Sequence, residues 1–519
     1  MRRQRWAPHP GRWAAYGRAT AASGLLLLGV ARAAVGQEEE GRRLYERWCL
    51  ECHGAEGRGD GPAADRMLPR PRDFTAARYQ VRTTGSGELP TDEDLRRVLR
   101  DGLPGTTMPG WLNLSSGERE AVIGYIKSLS RFFEGPAPEP LTFSSDPGSG
   151  GDALERGRQV YEVLECFKCH GTAGRGDGSS APTLEDWREL PIRAADLTEP
   201  WFFNGGGGVE QIHARILTGL DGTPMPSAVE AVQAEIVTED DIWYLAHYVN
   251  SLAPTTQPPV REVVRVRRWE AELPVEPDDP RWAEVEAVYF PLVGQVIRTP
   301  RLFAPTVDGV WVQGVHDGTE LVLRLVWHDP SRSPDPAWDE WQEKVAATLY
   351  ADGEPIPTAP LPDAFAVQFP LRVPEGNERP YFLMGSPRQP VGLWRWTSGV
   401  GVSEGQAAGL GSVTAVGSTG LTGAATYADG EWRLLFRRSL ASEGEGPSFA
   451  EGVPIPAAFF AWDGSSGEEG RRGSISSWYY IFLEEAGSAM LFLAPLLAAL
   501  FTGGLGLVAV RRARGRWEV

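Results

Sequence analysis

The pattern Cys-x-x-Cys-His occurs twice, as CLECH at residues 49–53 and CFKCH at 166–170, and the two copies use all four cysteines of the 519-residue chain. Each runs into a glycine-rich charged turn, HGAEGRGDG in the first copy and HGTAGRGDG in the second. Sulfur chemistry is therefore confined to two equivalent places. Two cysteines three positions apart with a histidine after the second is the spacing that attaches c-type haem: the sulfurs bond the vinyl groups and the histidine binds iron. A zinc site needs further Cys or His ligands at matching spacing, and none follows. A thioredoxin-like redox pair or a structural disulfide has no use for a repeated histidine. Cys49, Cys52, Cys166 and Cys169 are thus the candidate attachment points for two covalent haem c groups, with His53 and His170 as proximal ligands.

Iron held by one histidine needs a sixth ligand, and electron-transfer cytochromes often use a methionine sulfur. The chain has only six methionines, yet Met108 (GTTMPGW) and Met225 (GTPMPSA) each lie 55 residues beyond their motif histidine. The proline after each blocks helix and suits a loop approaching a haem face.

The repeat extends over whole domains. GRRLYERW (41–48) and GRQVYEVLE (157–165) lead into the motifs with helical apolar spacing. TDEDLRRVLRDGL and GVEQIHARILTGL precede the two methionines, and SSGEREAVIGYIKSLS and TEDDIWYLAHYVNSL follow them, the last with Thr238 and Asp241 as a capping box. Residues 38–133 and 153–253 each resemble a small class I cytochrome c, which implies two all-α domains with the ligands just named. His213 and His247 are rival distal ligands in the second copy, but both fall on predicted helices and read as packing or surface residues. Residues 134–152 have the composition of a linker.

At the N-terminus, arginines precede a short apolar stretch, LLLLGV, and small residues at Ala31 and Ala33, so residues 1–33 read as a secretory signal peptide. An uncleaved anchor is the alternative. Near the C-terminus, residues 487–510 carry no charge over 24 positions and are followed by Arg511, Arg512, Arg514 and Arg516. That is a single transmembrane helix with its basic end in the cytoplasm, which places the main domains on the periplasmic or extracytoplasmic side of the cell membrane. Without the ten terminal arginines and Glu518, 41 basic face 68 acidic residues, so nucleic acid is an unsuitable partner. A basic protein surface suits this charge better.

From residue 260 to 480 the pattern is β. ELVLRLVW alternates Leu321, Leu323, Leu325 and Trp327 on one face, as a half-buried strand does. Asp317-Gly318 and Asp429-Gly430 each separate two such runs, a hairpin signal. Helical periodicity is absent until the membrane segment, and a β-sandwich is the expected fold. Three stretches, DAFAVQFPL (363–371), RPYFLMGSPRQPVGLWRW (379–396) and GEWRLLFRRSL (430–440), resemble the haem b domain of the γ subunits of ethylbenzene dehydrogenase and related molybdenum oxidoreductases. The resemblance implies a non-covalent haem b with methionine and lysine ligands, and Met384 falls on the methionine. For the second ligand the candidates are Lys344 and His328, with His316 as a further substitute.

The expected architecture is multidomain: two cytochrome c domains, a β-sandwich and one C-terminal membrane helix. Iron with both axial positions filled passes electrons rather than binding substrate, so a relay function follows, and a dihaem peroxidase is disfavoured by Met108 and Met225. The resemblance of the third domain implies redox protein partners, namely a molybdenum enzyme of the nitrate, nitrite or dehydrogenase type with an iron-sulfur subunit. The chain would then be a non-catalytic electron-transfer subunit. The alternative is a dihaem cytochrome feeding a terminal oxidase, fused to a haem-free sandwich that binds carbohydrate or protein.

Overall fold

The computed structural model of the chain describes residues 36–254, 257–349, 357, 359–372, 378–417, 420–441, 447–486 and 490–514. The expected signal peptide lies outside the described residues.

The first helical domain holds α1 (36–48), α2 (Leu50–His53), α3 (Asp92–Asp101) and α4 (Ser116–Ser128). Leu44 and Tyr45 of α1, Leu95 and Leu99 of α3, and Val122, Ile123 and Ile126 of α4 recur at helical spacing and meet in one core. Both α3 and α4 start with reciprocal capping boxes, Thr91 with Asp94 and Ser115 with Glu118. The second domain repeats the plan with α5 (Ala153–Val163), α6 (Phe167–His170), α7 (Val209–Thr218), α8 (Val229–Gln233) and α9 (Glu239–Ser251), the last capped by Thr238 and Asp241 as expected. Glycine is required at one equivalent point in each. A Cβ on Gly41 would collide with the Ala121 carbonyl of α4, and one on Gly157 with the Tyr244 carbonyl of α9, so these two helix pairs cross backbone to backbone.

The segment with linker composition is laid against both domains. Leu141 N donates to Thr83 O at 2.8 Å, Trp243 Nε1 donates to Ser144 Oγ at 3.1 Å, and the Phe143 ring stands edge-on to His213.

The third domain contains β1 (Val263–Arg268), β2 (Val288–Pro291), β3 (Val293–Gly294), β4 (Gly309–His316), β5 (Glu320–His328), β6 (Ala364–Pro370), β7 (Val391–Thr397), β8 (Gly401–Ala407), β9 (Thr414–Ala415), β10 (Thr422–Ala428), β11 (Glu431–Ser439), β12 (Pro454–Trp462), β13 (Ser474–Ile475) and β14 (Tyr479–Leu483). They pair in the order β10-β11-β5-β4-β1-β14-β12-β6-β7-β8-β9. The path folds over on itself: Trp327 of β5 lies 4.7 Å from Phe365 of β6, and Trp432 of β11 lies 4.6 Å from Trp396 of β7, so two leaves enclose one aromatic core. Strands β1 and β14 run parallel, and with β12 they join the leaves. The turns at Asp317-Gly318 and Asp429-Gly430 join β4 to β5 and β10 to β11 as expected, and Asp429 and Gly430 both take the positive φ of a two-residue hairpin turn.

Two expectations are corrected. Strand β5 is not half-buried, because Val322 on its other face packs with Leu273, Trp282 and Val285 of the preceding segment. A helix, α10 (Asp339–Leu349), interrupts the β pattern, and its Trp341 and Val345 pack with Ala181 of the second helical domain, which supplies the apolar partner that the β-domain sequence lacks. The C-terminal helix α11 (Met490–Arg514) contains a 19-residue stretch, Pro495–Ala513, of mean hydropathy 1.5 that is exposed throughout, long and apolar enough to cross a membrane.

Candidate haem sites

Each Cys-x-x-Cys-His motif forms a single helical turn, α2 or α6, closed by a glycine at φ 79° or 78° (Gly54, Gly171). The turn is tied down identically in the two copies. Tyr45 Oη donates to Gly54 O and Tyr161 Oη to Gly171 O, both at 2.7 Å, while Gly59 N and Gly176 N donate to the histidine carbonyls at 2.9 Å. This is the local work of the repeated glycine-rich turn.

His53 Nδ1 lies 2.9 Å from Arg72 O, and His170 Nδ1 lies 2.9 Å from Ala195 O. A carbonyl only accepts, so Nδ1 carries the hydrogen and the Nε2 lone pair is left for a metal, with the ring orientation fixed from behind. Burial holds both imidazoles below their ordinary value and so in the neutral, ligating form. Burial also pushes the Cys49 thiol up to about 12 and the Cys166 thiol to about 11, and all four cysteines are free of disulfides. Protonated, uncharged sulfur suits a thioether better than a zinc thiolate. Among the described residues, no three-ligand metal grouping includes a cysteine. The donor set fits haem c: two free sulfurs, one oriented imidazole and a methionine in each domain. Haem, when bound, supplies a one-electron iron couple.

The methionine loops match as well. Met108 N donates to Thr106 Oγ1 at 3.1 Å, Thr106 Oγ1 donates to Leu103 O at 2.7 Å, and Leu103 N donates to Met108 O at 3.0 Å. Thr223, Leu220 and Met225 repeat these three bonds at 3.2, 2.7 and 3.2 Å. Both methionines are half-buried. His213 is buried and stacked on Trp243 at 3.7 Å, and His247 pairs with Asp146 at 2.9 Å, so both serve packing, as read from the sequence.

The two domains meet at these loops. Arg82 Nη2 of the first donates to Thr218 O and to Asp221 Oδ1 of the second, both at 2.8 Å, and Asp221 belongs to the Met225 loop. In return Arg188 of the second donates to Pro71 O at 3.2 Å, next to the residue whose carbonyl holds His53.

Residues 36–126 match the family described as cytochrome C oxidase, cbb3-type, subunit III, and residues 154–253 match the family described as cytochrome c. Both helical domains are cytochromes c. Two cytochrome c domains imply two covalent haem c groups. Among curated relatives, one from Haloferax mediterranei, whose name reads "Putative respiratory nitrate reductase heme subunit ORF7", is 28% identical over 228 residues, 44% of this chain and 73% of its own. The dimethylsulfide dehydrogenase subunit gamma of Rhodovulum sulfidophilum is 27% identical over 208 residues, 38% of this chain and 69% of its own. The chlorate reductase subunit gamma of Ideonella dechloratans is 27% identical over 143 residues, 27% of this chain and 56% of its own. A chain of the Kuenenia stuttgartiensis reducing HAO-like protein complex is 44% identical, spanning 42% of this chain and 96% of its own, with a TM-score of 0.39.

Beside the cytochrome sites, Met384 is buried at φ 57° in a turn where Gly385 N donates to Tyr381 O and Gly409 N to Met384 O, both at 2.8 Å. Its surroundings are apolar, with Leu383, Val391, Leu393, Phe460 and Trp462 in the same cluster. The candidate nitrogen ligands each have partners elsewhere. Lys344 on α10 pairs with Glu340 and with Glu185 of the second cytochrome domain, His328 Nδ1 lies 2.8 Å from Asp196, and His316 Nε2 lies 2.9 Å from Glu484 O.

Sequence reasoning missed a group of carboxylates. Asp329 after β5, Asp363 before β6 and Asp463 after β12 are fully buried, with ligand oxygens within 4.8 Å of one another. Arg193 of the second cytochrome domain donates to Asp463 Oδ2 at 2.7 Å. Asp463 keeps its charge against that guanidinium, while burial and mutual repulsion push Asp329 and Asp363 well above the carboxylate range. Each aspartate ends or begins a strand, and only the closed sandwich brings them together.

Proposed function

We propose that the chain is a membrane-anchored cytochrome subunit that relays electrons through its two c haems for a molybdenum oxidoreductase with an iron-sulfur subunit, outside the cytoplasmic membrane. The observation that carries this reading is the pairing of an oriented histidine with a methionine loop in both domains. Such a pair would fill both axial positions of a bound iron and would leave a redox couple without a substrate site. The relatives named as haem or gamma subunits support the type of partner. Helix α11 with Arg511 and Arg512 at its end supports the anchor and its sidedness. The test is purification of the tagged chain from its native membranes, with molybdenum and haem measured together. Molybdenum should co-purify at a constant ratio to haem c, and the partner's substrate should change the haem redox state. A complex with intact c haems and no molybdenum overturns the choice of partner.

We assign the β domain a haem b with Met384 as an axial ligand. A non-glycine residue held buried at positive φ is costly, and such positions cluster at functional sites. Binding through this sulfur requires Lys344 or His328 to leave its carboxylates. A haem-free sandwich is the second reading, favoured by the carboxylates that already hold those two residues. A pyridine haemochrome spectrum decides. Two c haems with one b haem, the b lost in Met384→Ala, support the first reading, and two c haems alone support the second.

A further inference from the structure

The two cytochrome domains repeat one another behind the histidine, and the repeat shows where the second copy departs. DFTA at 73–76 and DLTE at 196–199 form the same turn. In both, the aspartate Oδ1 accepts from the threonine backbone N at 2.8 Å and its hydroxyl at 2.6 Å, just after the carbonyl that holds the histidine. Only the second copy turns its spare carboxylate oxygen onto the β domain. Asp196 Oδ2 lies 2.8 Å from His328 Nδ1, and Glu199 Oε1 lies 3.7 Å from the same nitrogen. Where the second copy has Glu199, the first has Ala76.

Asp196 Oδ2 and His328 Nδ1 are buried, pair with each other at 2.8 Å and have no other hydrogen-bond partner. Two ligand atoms brought this close can also share one cation. Around one metal with bonds of about 2.0–2.2 Å, neighbouring ligand atoms lie roughly 3–3.5 Å apart. The three ligand atoms here lie within 4.8 Å of one another. The His328 ring is held against Trp311 at 5.0 Å, so it is already oriented. The charge balance also asks for a cation. Glu431 stands 3.8 Å from His328 Nε2 and Asp308 adjoins the same space, while Arg175, 3.1 Å from Glu431, is the nearby counter-charge.

We propose that Asp196, Glu199 and His328 bind one divalent first-row transition-metal cation of the zinc type between the second cytochrome domain and the β domain. An imidazole with two carboxylates is a borderline donor set that suits zinc, whereas calcium and magnesium take oxygen ligands. Because two domains supply the ligands, the ion fixes the second cytochrome against the sandwich. The site does not depend on the electron-transfer partner.

The test uses the full chain, carrying both haems in detergent, stripped with a chelator and titrated with zinc alone. Bound metal is counted against haem by mass spectrometry. One zinc per two c haems should survive dialysis and resist a hundredfold excess of magnesium, and it should raise the unfolding temperature. Glu199→Ala, which restores the residue of the first copy, and His328→Gln should each weaken binding by about tenfold or more with both covalent c haems retained. Zinc retention equal to wild type in both variants overturns the proposal. A wild-type chain that retains no zinc overturns it whatever the variants do.

Discussion

Arg82 of the first cytochrome domain is buried against Asp221 of the second, 2.8 Å away, in the loop that carries Met225. Ser86 Oγ and Gly87 N also donate to Asp221, at 2.9 and 2.8 Å. One domain therefore holds the Met225 loop of the other. Arg82→Ala should weaken this contact by about 3 kcal/mol, because it removes the buried counter-charge of Asp221. The expected result is a lower unfolding temperature together with a weakened sulfur-to-iron charge-transfer band of the second haem. An unchanged band would separate the interface from the Met225 loop.

Covalent attachment is read by haem staining after denaturing electrophoresis. Cys49→Ala or Cys166→Ala alone should reduce the stain, since each leaves the other domain intact. The double variant should lose most of it, and full staining there would exclude these sulfurs as attachment points.

Replacing Met108 or Met225 by histidine should lower the potential of that haem, because imidazole favours the ferric state more than a thioether does. Redox titration should show one potential moving and the other staying. Each variant keeps the Thr106 or Thr223 loop bonds, which use the backbone of the methionine rather than its sulfur.

The two cytochrome c domains were legible because haem chemistry dictates the spacing of a Cys-x-x-Cys-His turn, which cannot be spread out, and because a methionine loop recurs 55 residues on in both copies. The hairpins at Asp317-Gly318 and Asp429-Gly430 were legible because Gly318, Asp429 and Gly430 take positive φ, which favours such residues. Helix α10 was not, since Trp341 and Val345 find their partners in another domain. The contacts Arg193 to Asp463 and Asp196 to His328 join residues far apart in the chain, and no local pattern announces them.

The buried carboxylates should leave a signature in the pH dependence of stability. Asp329 is protonated in the folded chain well above its ordinary value of 3.8, so the folded state binds more protons than the unfolded state and stability is lost as pH rises above about 4. Asp329→Asn removes that loss. Its advantage over wild type should grow with pH by up to about 1.4 kcal/mol per unit until Asp329 ionises in the folded state. Denaturant unfolding at pH 5 and pH 8 checks the sign, and an advantage that shrinks with pH contradicts it.

Ending the chain at residue 486 removes α11. The shortened protein should appear in the soluble fraction of exporting cells with its haem stain intact. Finding it in the membrane fraction would move the anchor to the N-terminal segment.

The parallel pairing of β1 with β14 has a mechanical consequence. Val263 sits beside Tyr480 and Val266 beside Leu483, so the chain arriving from the cytochromes enters at one end of this pair and the chain leaving for α11 departs at the other. A pull along the chain between α11 and the cytochrome domains therefore acts along the strands and loads their hydrogen bonds in shear, all at once. An antiparallel pair with both tethers at the same end would instead open one bond at a time. The order of the strands thus gives a tethered, load-resistant mount, and force spectroscopy between the two tether points should find β1 and β14 parting late.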